Sequence, residues 1–295
     1  MSILKSIYQL IPSDIIFALA KFIRLFGTPP LSLRQKLLFD KTFRVSVSKG
    51  RSFKMRYTGK WIESDLFWKG IQGYEKASIE VWMKAAASSR TIIDIGANTG
   101  VFSLAAKAIN NKAKVIAFEP LPWALDLLNQ NVKINGFDIE VIPKAVSDSI
   151  GVASFYFPKE NQGNIYSSTL LIDHYLSHSN ILSNKIDVQL VSVDLYCEEN
   201  TIKSLDLVKV DAEGNDHAVI RGMIHTIKKF EPAILVEIQD QAIASEIQSI
   251  LPKQYCYFAL DDDNGPIFQD SIKPGDVLNY FLCPEKRLND FGLRK

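Results

Sequence analysis

From residue 91 onward the chain alternates short, almost wholly apolar runs with longer segments of helical period, and few folds accommodate that rhythm. The apolar runs are residues 91–95, 114–118, 139–142, 207–210 and 233–238. Between most of them lie helical patterns at 101–109, 123–134, 216–230 and 241–251. A strand that is apolar along its whole length must be covered on both faces, and a parallel sheet flanked by helices supplies that cover. Residues 255–260 and 277–282 flank Asp261-Asp262-Asp263-Asn264-Gly265 and read as an antiparallel pair at the end of the sheet. The expected class is therefore α/β, with a mostly parallel sheet closed by an antiparallel strand pair.

The chain before this region is organised differently. Residues 1–73 read as an N-terminal helical extension with a β-hairpin. Thr28-Pro29-Pro30 punctuates it, and residues 43–48 and 53–57 pair around Lys49-Gly50. Residues 74–295 form the main domain, opening with a helix over 74–88. Residues 159–187 interrupt the alternation between the third and fourth core strands. An insertion of that length usually carries function, and substrate contacts are expected there. Residues 3–26 are rich in Ile, Leu and Phe, but Lys5, Pro12, Asp14, Lys21 and Arg24 divide them. No run reaches the ~18–20 apolar residues of a membrane span, and the order of a cleavable signal is missing. A helix packed on the main domain is expected in preference to an amphipathic helix resting on a membrane surface.

The charge is balanced, with 34 basic and 33 acidic residues and a net charge of +1, so no nucleic-acid partner is expected. Cys197, Cys256 and Cys283 form no C-x-x-C pair and carry no zinc signature. A reduced, cytoplasmic protein is the simplest reading. The acidic turn at 261–265 lacks the bidentate Glu of a calcium loop and reads as a solvated turn. Nothing in the sequence fixes the oligomeric state.

Three signals fall in register on successive strands. Asp94-Ile95-Gly96-Ala97-Asn98-Thr99-Gly100 joins the first core strand to its helix. Its glycines let backbone approach a ligand without a Cβ clash, at the carboxyl end of the strands where open α/β sheets bind ligands. Asp94 suits the ammonium of an amino-acid moiety. Glu119, ending the next strand in Ala117-Phe118-Glu119-Pro120, suits a pair of ribose hydroxyls. Lys144-Ala145-Val146-Ser147-Asp148 follows the third strand, where Ala145 and Ser147 would border an adenine edge. A nicotinamide dinucleotide is the rival ligand, but its G-x-G-x-x-G turn is absent, and an acid directly before the turn would repel a pyrophosphate.

These motifs, with Gly73-Tyr74-Glu75 ahead of the core and Asn131 and Asn135 after Phe118-Glu119-Pro120, resemble the FkbM family of methyltransferases. The distinctive element is Val208-Lys209-Val210-Asp211-Ala212-Glu213-Gly214, continuing through Asp216 to Gly222, with Pro232 and Val236-Glu237-Ile238 completing the set. The resemblance covers roughly residues 74–284. It implies a class I, Rossmann-like methyltransferase fold and S-adenosyl-L-methionine as donor. It also implies methylation of an alcohol on a saccharide or small-molecule acceptor in bacterial pathways. Asp216 stands where the family usually shows Glu, and His217 where an apolar residue is common, which puts a family-wide rule for the pocket in doubt.

With that donor, the cofactor-binding set is Tyr74, Glu75, Asp94, Gly96, Asn98, Gly100, Glu119, Ala145, Ser147 and Asp211. Methyl transfer is an in-line displacement, so alignment matters, and an alcohol needs a base or a metal. Asp211, Glu213, His217 and Glu237 are the catalytic candidates. Asp211 or Glu213 is expected to position or deprotonate the acceptor, and His217 is a secondary base. Acids on neighbouring strand ends could also hold Mg²⁺, although a metal is not the favoured reading. Two further functions stay open. An N-methyltransferase is disfavoured because Asp211-Ala212-Glu213-Gly214 stands where Asn/Asp-Pro-Pro-Tyr would. A non-catalytic cofactor-binding protein is disfavoured by intact acids at 94, 119, 211, 213 and 237.

Overall fold

The computed structural model describes residues 11–158, 183–212 and 214–295. It opens with a helix, Ser13–Arg24, and a hairpin of β1 (Lys41–Ser48) and β2 (Arg51–Tyr57). A helix over Trp61–Lys69 and another over Lys76–Ser88 lead to β3 (Thr91–Ile95), β4 (Lys114–Phe118) and β5 (Ile139–Ile142). Next come β6 (Ala145–Val146), β7 (Gly151–Pro158) and β8 (Ser183–Val191). The final strands are β9 (Leu207–Val210), β10 (Ala233–Glu237), β11 (Tyr255–Asp261), β12 (Gly265–Gln269) and β13 (Asn279–Pro284). The principal sheet has the order β12-β11-β13-β10-β9-β3-β4-β5. Pairing is parallel from β10 through β9, β3 and β4 to β5, and antiparallel from β10 outward through β13 and β11 to β12.

Alternate residues feed two apolar layers. Ile92, Val115, Leu207 and Leu235 face one, while Ile93, Ile116, Val208 and Val236 face the other. Ile16, Phe39, Phe43, Phe53 and Tyr57 of the N-terminal segment belong to the first layer, so the extension and the sheet share one core. The edge of β2 is covered by side chains of the helix Pro122–Asn135. Asn131 Oδ1 accepts from Arg56 N at 2.9 Å, and Asn135 both accepts from Lys54 N at 2.6 Å and donates to Lys54 O at 2.7 Å. These amides occupy ladder groups that an open edge would expose.

The expected antiparallel pair is present as β11 and β13. A further strand joins it: the acidic turn leads back into β12, and β13 inserts between β11 and β10. Strand β12 carries Pro266 and partly exposed side chains, a pattern that an edge position permits and that apolar-run reading passes over. The helix expected over 216–230 is broken into Asp216–Arg221 and Ile224–Phe230. At the break a Cβ on Gly222 would stand 2.2 Å from the Ser147 carbonyl oxygen, and Asp194 caps the second helix through His225 N and Thr226 N. Residues 151–158 and 183–191, the latter overlapping the expected insertion, form a hairpin that pairs with β6. The rest of the insertion, 159–182, lies outside the described residues.

The acidic turn is also more than a solvated loop. Asp261 Oδ1 accepts from Asp263 N and Asn264 N. Asp262 Oδ1 accepts from Ala77 N at 2.8 Å, capping the helix Lys76–Ser88 from the turn between β11 and β12. Asp262→Ala is expected to lower unfolding free energy by about 1 kcal/mol, the usual value of an N-cap. The urea midpoint checks this.

Candidate active site

The strand order reverses between β3 and β9, and that switch point is where open α/β sheets leave a crevice at their carboxyl ends. Gly96 follows β3 with φ +72°, and a Cβ on it would lie 1.9 Å from the Asp211 carbonyl oxygen. No side chain fits there, so the two strand ends meet backbone to backbone. Gly96 N and Ala97 N both donate to Phe118 O at 3.0 Å. Asn98 is left-handed at φ +50°, a strained conformation that clusters at functional sites. Its N–H donates to Glu119 Oε2 at 2.8 Å, while Leu121 N donates to Oε1 at 2.9 Å. Glu119 therefore staples the glycine turn to β4 and keeps a further acceptor position on each oxygen. Burial outweighs the two N–H donors and pushes its carboxyl up to about 7.

Two open compartments meet at Gly96, Asn98 and Asp211. The first is bordered by Phe118, Glu119, Leu121, Ala145, Val146 and Phe155, a lining whose chemistry suits a nucleoside. The second is bordered by Trp61, Tyr74, Glu75, Phe102, Lys209 and Glu237. Behind it Asp94 is fully buried. Its Oδ2 accepts from Ser103 Oγ at 2.6 Å, and its Oδ1 has no partner among the described residues. Lys209, in register with Asp94 on the adjacent strand, is buried with its Nζ 2.7 Å from Asp211 Oδ2 and 4.7 Å from the Phe102 ring centroid.

Four carboxyls, from Glu75, Asp94, Asp211 and Glu237, thus act on one ammonium. Burial would lower the Lys209 pKa, but Asp211, Asp94 and Glu75 together hold it above the ordinary lysine range. Lys209 is a permanent cation. The acids move the other way. Burial raises Asp94 against the pull of Lys209, raises Glu75 to about 7, and raises Glu237 with help from Asp211. A buried excess of carboxylate attracts a cation, and the unpartnered Asp94 oxygen is where an ammonium would gain a hydrogen bond. Glu75 is left-handed at φ +42°, so two of the four such non-glycine residues described, Glu75 and Asn98, line this cleft.

The turn after β9 is organised by Asp216, whose Oδ1 accepts from Ala212 N at 2.8 Å and Oδ2 from Gly214 N at 3.1 Å. Burial pushes its carboxyl up to about 7. The structure brings Tyr74, Glu75, Gly96, Asn98, Glu119, Ala145, Asp211 and Glu237 to the cleft walls. It does not bring Ser147, which contacts Asn215 and Gly222. Nor does it bring His217, which sits on the helix Asp216–Arg221 with Nδ1 buried and unpartnered among the described residues. Gly100 supports the turn at φ +93°, with the Leu128 side chain closing on it. Glu213 lies outside the described residues. Among those residues no three His, Cys, Asp or Glu side chains converge as a metal site, and no helix is long and apolar enough to cross a membrane. Sequence reasoning passed over Lys209 as a site residue. The signal was present: one lysine inside an apolar strand run must have a partner.

Comparison with known proteins gives the family. The methyltransferase FkbM domain matches residues 94–263. The chain is 22% identical over 205 residues to the hexuronic acid methyltransferase AglP of Haloferax volcanii, covering 70% of this chain and 79% of that protein. It is 27% identical over 163 residues to the 2-O-methyltransferase NoeI of Sinorhizobium fredii, covering 52% of this chain and 64% of that one. A solved methyltransferase FkbM structure from Methylobacillus flagellatus KT aligns with a TM-score of 0.41 at 14% identity. That alignment covers 65% of this chain, which spans 43% of that structure's length. The domain match spans more than half of the chain, from the Asp94 turn to the acidic turn; the chain belongs to the FkbM family and is an S-adenosylmethionine-dependent methyltransferase.

Proposed function

We propose that the protein is an O-methyltransferase acting on a hydroxyl of a sugar, glycan or small metabolite. The observation that carries this reading is the acid cluster at the second compartment. It offers a buried carboxylate oxygen for the donor's ammonium, and it sets Asp211 beside the junction of the two compartments. Glu119 would hold the ribose hydroxyls, Ala145 and Phe155 the base, and Asp94 with Glu75 the amino-acid end. When bound, S-adenosylmethionine supplies an electrophilic methyl carbon on a positively charged sulfur. Asp211 accepts the acceptor's hydroxyl proton as the new bond forms, and Lys209 fixes the aspartate's orientation through its 2.7 Å contact. Glu237 and Tyr74 border the remaining wall, where further acceptor hydroxyls would find partners. The named activities of the two relatives support transfer to oxygen, through the 2-O position of one, and a saccharide acceptor, through the hexuronic acid of the other.

Calorimetry with S-adenosylhomocysteine tests the cofactor half. Asp94→Asn and Glu119→Gln are each expected to weaken binding by about tenfold to a hundredfold, the value of one charge-assisted contact. Unchanged affinity in both would remove the basis for the site. Protonated carboxyls bind an ammonium poorly, so affinity is also expected to rise with pH through about 7, where Glu75 and Glu119 ionise. A flat pH profile contradicts the assignment. Transfer of labelled methyl from donor to sugar hydroxyls tests the acceptor half, and label found only on amines would reject it.

A further inference from the structure

An indole left in water needs a physical reason, because few side chains carry as much apolar surface. Of the four tryptophans, Trp68 and Trp82 are buried, whereas Trp61 leaves 44% of its surface exposed. A frayed helix end is not the cause. Ile62, Leu66, Phe67 and Trp68 of the same helix, Trp61–Lys69, are buried and fix it to the core. Trp61 is held from the side as well, its ring 5.3 Å from that of Tyr74 at an interplanar angle of 62°. An edge contact of this kind fixes a ring's orientation.

The indole borders the second compartment together with Tyr74, Glu75, Asp211 and Glu237. That wall joins an aromatic surface to several carboxyl groups, and its one ammonium, Lys209, is already engaged by Asp211. Hydroxyls donate to carboxylate oxygens, and an aromatic face takes up C–H groups. A pyranose ring carries both, with axial C–H bonds on its faces and hydroxyls around its rim. An open-chain polyol has the hydroxyls without the face. Charge narrows the class further. Lys209 and the donor together supply two net positive charges against the four carboxyls of Asp94, Glu75, Asp211 and Glu237. A carboxylate on the acceptor would add to that excess, at the cost of like-charge repulsion.

Resting on the O-methyltransferase reading above, we infer that the acceptor is an uncharged pyranoside whose C–H face stacks on Trp61 and whose hydroxyl edge meets Glu237 and Asp211. Trp61 thereby sets acceptor specificity. Both Trp61 and Tyr74 precede the matched domain, so the segment in front of the shared domain selects the acceptor. The glycine turn and the strand-end acids within that domain hold the donor.

Labelled methyl transfer to the methyl glycosides of glucose, galactose and mannose tests the inference, with the corresponding uronosides and mannitol as counterparts. Wild type is expected to methylate a neutral pyranoside and to favour it about tenfold in kcat/KM over its uronoside and over mannitol. Trp61→Leu is expected to raise the KM for that pyranoside about tenfold, while S-adenosylhomocysteine affinity by calorimetry stays within about twofold. Trp61→Phe is expected to recover most of the loss. It keeps a ring against Tyr74, so the comparison stands even where Trp61→Leu melts earlier. Indole emission gives a readout apart from turnover. With S-adenosylhomocysteine bound, the pyranoside is expected to shift the emission of wild type and not that of Trp61→Phe. No transfer to any neutral pyranoside, equal or better transfer to uronosides or mannitol, or an unchanged KM in Trp61→Leu would each overturn the inference. Those results leave donor binding intact. Failure of wild type to bind S-adenosylhomocysteine would instead remove the donor site, and with it both the O-methyltransferase reading and this one.

Discussion

Exchanging Asp211 for Asn is expected to lower turnover by about 10² to 10⁴, the usual contribution of a positioned base, while S-adenosylhomocysteine affinity stays within about tenfold. The substitution preserves shape. Asp211 N donates to Ile95 O at 3.2 Å, so the backbone at this position is anchored on β3 independently of the side chain. Asn can still accept from Lys209 through its amide oxygen but cannot take a proton from a hydroxyl. The loss should fall on kcat and leave the KM for donor nearly unchanged, since uniform binding is not what the carboxylate supplies. Glu237→Gln is the control. It removes a second carboxyl from the same wall, and a larger kcat loss there than in Asp211→Asn would move the base to Glu237. Steady-state kinetics with calorimetry on both variants separates the two.

The strands that carry the cleft were legible because their sequences contain a single physical instruction. Residues 91–95, 114–118, 139–142 and 207–210 are mostly apolar, and a doubly covered parallel sheet satisfies such runs. The same reasoning overlooked β7, β8 and β12, which are partly solvated and carry weaker patterns, their pairing decided by neighbours rather than by composition. Among candidate site residues, Asp94, Gly96 and Glu119 stand out in the sequence because motif and strand end coincide. Lys209 and Asp216 could not be assigned roles, because those roles arise from contacts: an ammonium in register with Asp94 across a strand gap, and a carboxylate folding back on Ala212 N and Gly214 N. Ser147 shows the converse. Its position after the third strand fits an adenine border, yet its hydroxyl accepts from Asn215 Nδ2 at 3.4 Å and its backbone carbonyl packs on Gly222.

Replacing Lys209 by Met is expected to destabilise the protein by about 3–5 kcal/mol at about pH 8, the cost of removing one partner from a buried ion pair. Met matches the length of the lysine stem and can keep its packing on Phe102, so the change isolates the charge. Without the ammonium, Glu75, Asp94, Asp211 and Glu237 would form a cluster with no internal cation. Burial already raises Asp94, Glu75 and Glu237 above ordinary carboxyl values, and Lys209 is the cation opposing that rise. In the variant the folded-state values climb further, so the folded state binds more protons than the unfolded chain. Stability is then retained below the ordinary carboxyl range, near pH 4, and lost as pH rises through the raised values at about 7 and above. The deficit relative to wild type should therefore be large at about pH 8 and shrink toward about pH 5. Thermal melts of both proteins across that interval measure it. An equal deficit at both ends would mean that Lys209 contributes packing alone, and that the charge balance of the cleft is set elsewhere.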